Sequence, residues 1–297
     1  MIVRNPDDVT SDALAAMERT ADPRAREILV SMVKHLHGFI RDVRLTEDEF
    51  RQAAAILNEM GRLSTRTHNE TVLMAGSLGV SSLVCLLNNG GNGNTETAQS
   101  LLGPFWRLNA PRVANGGTIV RSDTPGDPLL VNARVVDMAG KPVAGADVDI
   151  WHASPIGLYE NQDPAQAEMN LRGKFTTDGN GRFWFKTVKM VGYPIPTDGV
   201  VGRLLHAQNR QPYRPAHLHA MIVKNGFKVL ISQVYDPKDP HIDTDPQFGV
   251  TTALLGDYAR HGEPHPSDPK IRPPWYSLDY TYVMEPGETK LPAPPIN

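Results

Sequence analysis

The 297-residue chain has one cysteine, Cys85, so it forms no intramolecular disulfide and fits a reducing, cytoplasmic compartment. That residue lies in Leu83-Val84-Cys85-Leu86-Leu87, an apolar stretch that marks a core position rather than a nucleophile. No apolar run approaches the roughly 20 residues of a membrane span. The first eight residues, Met1-Ile2-Val3-Arg4-Asn5-Pro6-Asp7-Asp8, lack the apolar centre of a secretory signal. Charge of one sign is missing too: the net charge is −3, with both signs interspersed. Nothing therefore advertises a nucleic-acid or anionic-membrane partner. There is no internal repeat and no Gly-x-Gly-x-x-Gly element, so a dinucleotide cofactor is not expected.

What is there has two textures. Residues 1–100 read as a helical region and 101–297 as a β domain. Pro23 suits a first helical turn, and Ile28, Val30, Met32, Val33, Leu36, Phe39 and Ile40 follow as an apolar face. Thr46-Glu47-Asp48-Glu49 is a capping box opening a second helix that Gly61 is expected to end. Third and fourth helices are expected over 65–77 and 81–87, broken at Gly79, before the loop Asn88-Asn89-Gly90-Gly91-Asn92-Gly93-Asn94. Beyond Gly103-Pro104-Phe105, turn clusters separate β-prone runs at 131–136, 146–151, 181–188, 217–222, 229–234 and 277–283. This pattern predicts a mainly β protein with a helical N-terminal region, its catalytic part an antiparallel β-sandwich. The helical region is small and apolar, so it must pack on the β domain, on a second subunit, or on both; a homodimer through these helices is the economical arrangement.

The chemistry centres on Arg214-Pro215-Ala216-His217-Leu218-His219. On a strand His217 and His219 leave the same face, and Leu218 points the other way, into the sandwich core. Alone, the pair is equally a strand face with two hydrogen-bonded histidines. Tyr159, two residues after Gly157, and Tyr193, in Gly192-Tyr193-Pro194, lie on loops whose backbone is restrained. Loop tyrosines commonly just bury a ring and keep the hydroxyl wet. As a set, though, imidazole nitrogen and phenolate oxygen suit ferric iron better than zinc or copper(I). His152 reads as a structural histidine, and His241 as solvated.

Asp149-Ile150-x6-Gly157-x-Tyr159, Gly192-Tyr193-Pro194 and the Arg214–His219 segment resemble the intradiol ring-cleavage dioxygenases, in particular the hydroxyquinol and catechol 1,2-dioxygenase branch. The resemblance runs from the helical N-terminus past Gly249. It implies a helical dimerisation region, a lipid bound between the helical regions of the dimer, and a β-sandwich holding non-haem Fe(III). Tyr159 and His217 would be equatorial ligands, Tyr193 and His219 axial ones, with Arg214 and Gln233 beside them. The implied substrates are a catechol-type aromatic and O2, and the product is a cis,cis-muconate. Two tyrosinates and a hydroxide would neutralise Fe(III), which permits burial. Tyr193 would leave as the base and Tyr159 would stay.

By the same resemblance Leu73, Gly76, Gly103, Pro104, Phe105, Ile195, Pro196 and Val250 line the pocket. The segments 193–202, 170–178 and 248–250 favour hydroxyquinol (benzene-1,2,4-triol) as substrate, giving 3-hydroxy-cis,cis-muconate, the tautomer of maleylacetate. Gly76 departs: hydroxyquinol enzymes carry an aspartate there, and glycine is expected to remove an acceptor and add room. Catechol or a substituted catechol is the alternative substrate. Two readings of other classes are a non-catalytic β-sandwich binding module and a zinc hydrolase, for which no third ligand has suggestive spacing.

Overall fold

The computed structural model describes residues 2–65, 68–89 and 99–295. The chain divides into two compact units, Met1–Glu59 and Met60–Asn297. The first holds α1 (Pro6–Met17), α2 (Pro23–Val43) and most of α3 (Glu47–Leu63). Local capping explains each start. The Asn5 side chain accepts from the Asp7 and Asp8 amides, and Asp22 accepts from the Ala25 amide, each just ahead of a first-turn proline. At α3 the Thr46 amide donates to Glu49 Oε2 at 2.8 Å and the Glu49 amide to Thr46 Oγ1 at 3.3 Å, the expected capping box. Gly61 does not end α3, which runs on to Leu63; a helical glycine costs only about 1 kcal/mol. The unanticipated α1 is tied to α2 by Arg41 Nη2 on the Pro6 carbonyl at 3.0 Å and on Asp7 at 2.9 Å.

The second unit opens with α4 (Glu70–Ser77) and α5 (Val80–Asn89), bent by 74° where Gly79 takes φ +74°. The first starts later than expected because Asn69 caps it, accepting from the Val72 amide at 3.0 Å. The second absorbs Asn88 and Asn89 from the expected loop, whose other positions lie outside the described residues. Among the described residues no single helix is long and apolar enough to cross a membrane.

The β domain follows. Its strands are β1 (Pro128–Asp137), β2 (Asp147–Trp151), β3 (Arg172–Thr176), β4 (Arg182–Val188), β5 (Tyr193–Pro194), β6 (Tyr213–Arg214), β7 (His217–Val223), β8 (Leu230–Tyr235), β9 (Asp257–His261) and β10 (Trp275–Met284), with helix α6 (Val200–Ala207) between β5 and β6. One sheet runs β4-β1-β10-β9, the other β3-β2-β7-β8, and β5 pairs with β6 as a short ribbon. All pairings are antiparallel except β1 with β10. Alternate residues of both sheets interdigitate in one core: Val131, Val135, Phe183, Phe185 and Leu278 from one, Val148, Ile150, Phe175, Leu218 and Ile222 from the other.

The six expected strands are all present. Four were not anticipated: β5 and β6, two residues each, and β3 and β9, which sit at the edges of their sheets. Strands β3 (Arg172-Gly173-Lys174-Phe175-Thr176) and β9 (Asp257-Tyr258-Ala259-Arg260-His261) are five residues each and rich in charge, too short and too polar to show an apolar alternation. Leu218 is fully buried in the intersheet core, which turns His217 and His219 to the opposite face of β7. That face is also covered: Trp106, Trp151, Tyr159, Tyr193 and Met221 form a second buried cluster there.

Candidate metal centre

Strand register assembles the site. On β7, His219 lies between Trp151 of β2 and Gln233 of β8, and His217 lies opposite Tyr235. Cross-strand partners share a face, so Gln233 and Tyr235 point the same way as the two histidines. The β5–β6 ribbon pairs Tyr193 directly with Arg214. Tyr159 comes from the loop after β2, which can approach Tyr193 only because residue 157 is glycine. Gly157 holds φ +82°, and a Cβ there would stand 3.0 Å from Tyr193 Cβ.

Four donor atoms converge. Tyr159 Oη is 3.3 Å from Tyr193 Oη, which is 3.4 Å from His217 Nε2, which is 3.2 Å from His219 Nε2. Donors bound to one first-row ion at about 2.0–2.2 Å stand roughly 3 Å apart, so this spacing fits a shared metal. Tautomers fit as well. His217 Nδ1 lies 2.7 Å from the Pro215 carbonyl, which can only accept, so Nδ1 carries the hydrogen and Nε2 offers a lone pair. The His219 ring stacks on Trp151 with centroids 4.7 Å apart, and its buried Nδ1 has no partner among the described residues. If that Nδ1 is protonated, two lone pairs face each other, an arrangement a cation relieves. Among the described residues no group of three His, Cys, Asp or Glu side chains is placed to hold a metal. The further donor atoms in this succession are the phenol oxygens of Tyr193 and Tyr159.

Burial governs the protonation of these groups. It lowers His217 to about 3, helped by the Arg214 charge, and holds His219 well below the ordinary imidazole range, with His217 adding to the effect. Burial raises the Tyr159 phenol well above its ordinary value, and Tyr193 reinforces this. It raises Tyr193 too, against the opposing pull of Arg214. Without a cation the four groups are thus neutral, and ionising the phenols requires positive charge within the site.

Arg214 stands beside this set and is itself buried. Its Nε donates to Asp245 Oδ1 and its Nη2 to Asp245 Oδ2, both at 3.1 Å, while Nη2 also reaches Gln233 Oε1 at 2.9 Å and the Tyr235 hydroxyl. Gln233 is anchored in turn through Nε2 on the Leu101 carbonyl at 2.6 Å. Burial works against the Arg214 charge, but Asp245, Tyr235 and Tyr193 outweigh it and keep the guanidinium protonated. Burial would raise Asp245, yet Arg214 and the Gly249 and Gln247 amides hold its carboxyl below the usual range.

A second buried ion pair braces Tyr159. Arg172 Nε donates to Glu160 Oε2 at 2.7 Å, Arg107 Nη1 donates to Glu160 Oε1 at 2.9 Å, and the Arg172 guanidinium lies 5.8 Å from the Tyr159 ring centroid. Sequence reasoning missed Asp245, Tyr235, Trp151, Glu160 and Arg172. Tyr235 had a usable signal, since it lies two residues beyond Gln233 on one strand face; Asp245 had none.

The expected pocket residues are placed unevenly. Gly103 holds φ +74° and abuts His219, where an added Cβ would be 3.1 Å from Cε1. Phe105 stacks on Tyr159 with centroids 4.4 Å apart. Leu73 packs on the Ile195 cluster and Val250 on the Tyr235 cluster. Pro104 and Pro196 are exposed neighbours of Phe105 and Ile195. Gly76 is buried, but the room expected above it is filled by Gln247. His152 is structural, as expected: Nδ1 meets the Ala153 carbonyl at 2.8 Å and Nε2 the Thr187 hydroxyl at 2.7 Å. His241 is half-buried and stacks on Tyr213, 5.0 Å between centroids.

Comparison with known proteins agrees with this architecture. Residues 101–278 match the family model described as "Dioxygenase", and residues 22–95 match "Catechol dioxygenase N terminus". A hydroxyquinol 1,2-dioxygenase of Rhizobium sp. is 41% identical over 249 residues, 83% of each chain. A 6-chlorohydroxyquinol 1,2-dioxygenase of Cupriavidus pinatubonensis is 37% identical, covering 94% of this chain and 96% of its own length. The crystal structure of the Pseudomonas putida hydroxyquinol 1,2-dioxygenase superposes with a TM-score of 0.87 at 35% identity, covering 95% of this chain and 99% of that one. With both family models matched in order and two loop- and ribbon-borne tyrosines brought against the two histidines of β7, the chain belongs to the intradiol ring-cleavage dioxygenases.

Proposed function

We propose that this protein cleaves the ring of a catechol-type substrate between its two hydroxyl-bearing carbons, using O2 at a non-haem Fe(III) centre held by Tyr159, Tyr193, His217 and His219. The observation that carries the proposal is the unbroken succession of donor atoms from Tyr159 Oη through Tyr193 Oη and His217 Nε2 to His219 Nε2, each 3.2–3.4 Å from the next. Bound there, ferric iron supplies a trivalent Lewis acid that keeps phenolates ionised and lets a catecholate donate electron density towards O2.

The protein's own groups divide the remaining work. A catechol must lose two protons to bind as a dianion: Tyr193 Oη is the side-chain base that would take one, and the hydroxide that balances the site's charge would take the other and leave as water. Tyr193 as a residue is less buried, 8% exposed against 1% for Tyr159, and Tyr159 is stacked on by Phe105 and braced by Arg172. Tyr159 therefore stays and Tyr193 moves. Arg214, fixed by Asp245, Gln233 and Tyr235, is preorganised to stabilise negative charge developing on the ring. Leu73, Gly103, Phe105, Ile195 and Val250 exclude water around it.

Benzene-1,2,4-triol, cleaved to 3-hydroxy-cis,cis-muconate, is the substrate we favour, with catechol and substituted catechols as the alternative. Two relatives named for hydroxyquinol or its 6-chloro derivative support this order. The functional unit is a homodimer formed through the N-terminal helices, with a lipid held between them. An exposed stripe on α2, comprising Ile28, Met32, Leu36, Phe39 and Val43, supports that association.

Purified, iron-loaded protein should be red to burgundy from tyrosinate-to-iron charge transfer, and should consume one O2 per substrate as a muconate forms. A protein that is colourless after iron-replete expression, or that leaves every catechol tested intact, overturns the proposal.

A further inference from the structure

His217 and His219 are held by different means. His217 donates through Nδ1 to the Pro215 carbonyl at 2.7 Å, which fixes both its tautomer and its ring. His219 has no such anchor: its Nδ1 is buried and without a partner among the described residues. What it has is a plane. Trp151, its cross-strand neighbour on β2, stacks on the imidazole with centroids 4.7 Å apart and planes only 10° from parallel. The Trp151 indole is itself 1% exposed, and its Nε1 also lacks a partner among the described residues. Burying an unpaired N–H is unfavourable, and phenylalanine would fill much of the space without one. Hydrogen bonding therefore does not account for the indole, whereas a broad flat face does. Gly103 borders the same imidazole where the donor atom lies: an added Cβ would stand 3.1 Å from Cε1 and 3.7 Å from Nε2.

We infer that Trp151 is a positioning residue for the metal centre: its indole face, in place of a hydrogen bond, sets the angle at which His219 offers Nε2, and Gly103 leaves the donor side of the ring clear. This rests on the reading of His219 as an iron ligand. A metal-bound imidazole is ordinarily oriented by a hydrogen bond on its other nitrogen. Where that bond is missing, rotation about the Cβ–Cγ bond is limited by what the ring touches. Turning His219 would drive a ring edge into the indole that it now lies parallel to. A hydrogen bond on Nδ1 would also raise the basicity of the ligand, whereas an aromatic plane aims Nε2 without making it a stronger base.

The test reads Fe(III) binding and the ferric EPR signal in full-length protein, with the melting temperature of the metal-free protein measured beside them. Trp151→Leu removes the plane. Its Kd for Fe(III), from competition with a chelator of known affinity, should rise at least about threefold, the scale of one aromatic pair. Its high-spin ferric EPR lines should broaden or shift, because His219 is then free to take a range of angles. Trp151→Phe keeps a smaller aromatic face and should lie between Trp151→Leu and wild type on both readouts. Gly103→Ala presses on the donor side of the ring and should also raise the Kd. A Trp151 that only fills space would, when replaced, lower the melting temperature and leave the Kd and EPR spectrum of the folded variants as in wild type. That result overturns the inference, as does an equal rise in Kd for Trp151→Phe and Trp151→Leu. Should Trp151→Leu fail to fold, Trp151→Phe decides by the same two readouts. Should both fail, Gly103→Ala decides, because a ring held only by stacking must tilt when pushed, and an unchanged EPR spectrum overturns the inference. Wild type that binds no Fe(III), or binds it without tyrosinate absorbance, overturns the dioxygenase reading, and this inference with it.

Discussion

At the scale of single residues, the site is a set of groups that burial makes neutral until a cation enters. Tyr159→Phe and His219→Ala each remove one of the four donors. Each should lose bound iron and visible absorbance, measured by metal analysis and the spectrum of the purified variant. Full ring cleavage by both would refute the ligand assignment. Arg214 and Asp245 form a buried pair, so Arg214→Met leaves the Asp245 carboxylate without its counter-charge. Urea unfolding should show a loss of about 3–5 kcal/mol, whereas Arg214→Met with Asp245→Leu should recover much of it. His152 gives the pH dependence a sign. Burial depresses it from 6.5 to about 4, so the unfolded chain takes up a proton first as the medium is acidified. Its contribution, up to roughly 3 kcal/mol, is complete above about pH 6.5 and is lost as pH falls towards 4. Unfolding free energy followed over that interval should slope less steeply in His152→Gln than in wild type.

At the scale of elements, two loops and a strand pair bring distant residues together. Gly157→Ala tests the loop crossing, because its Cβ must enter space 3.0 Å from Tyr193 Cβ in a left-handed conformation. Stability should fall by about 1–3 kcal/mol, and ring cleavage should drop with it, as Tyr193 is pushed from its position; unchanged kcat/KM would mean the crossing has slack. What was readable in the sequence follows the same physics. The His217-Leu218-His219 alternation announced a strand with one apolar and one functional face, and β7 has both. The capping box at Thr46 placed the start of α3 because caps are local. Asp245 was not legible, since it reaches Arg214 across 31 positions through a loop with no periodicity. Helix α6 was hidden for a similar reason. Its first turn is completed from elsewhere, by Glu70 Oε1 accepting from the Val201 amide at 2.8 Å, and no cap stands in its own sequence. The room expected above Gly76 failed likewise, because the residue filling it lies 171 positions away (247 − 76).

At the scale of the whole molecule, the proposed association has a readable signature. Ile28, Met32, Leu36, Phe39 and Val43 recur at three- and four-residue spacing, and each leaves more than half of its surface exposed. Phe39→Glu should shift the protein from dimer to monomer in analytical ultracentrifugation at micromolar concentration, and a wild type that is monomeric throughout would remove the dimer from the proposal. Native mass spectrometry before and after organic extraction tests for the lipid.

The two-faced character of β7 has one more consequence. Because the side-chain period of a strand is two, a slip of one residue against β2 or β8 would drive both imidazoles into the apolar interior and swing Leu218 out among the phenols. The strand that packs Leu218 into the sandwich is thus also the strand that presents both imidazoles, and a mispaired chain should fail to take up the proposed ion. With iron bound as proposed, recovery of colour during refolding should count correctly registered molecules and so gauge folding fidelity.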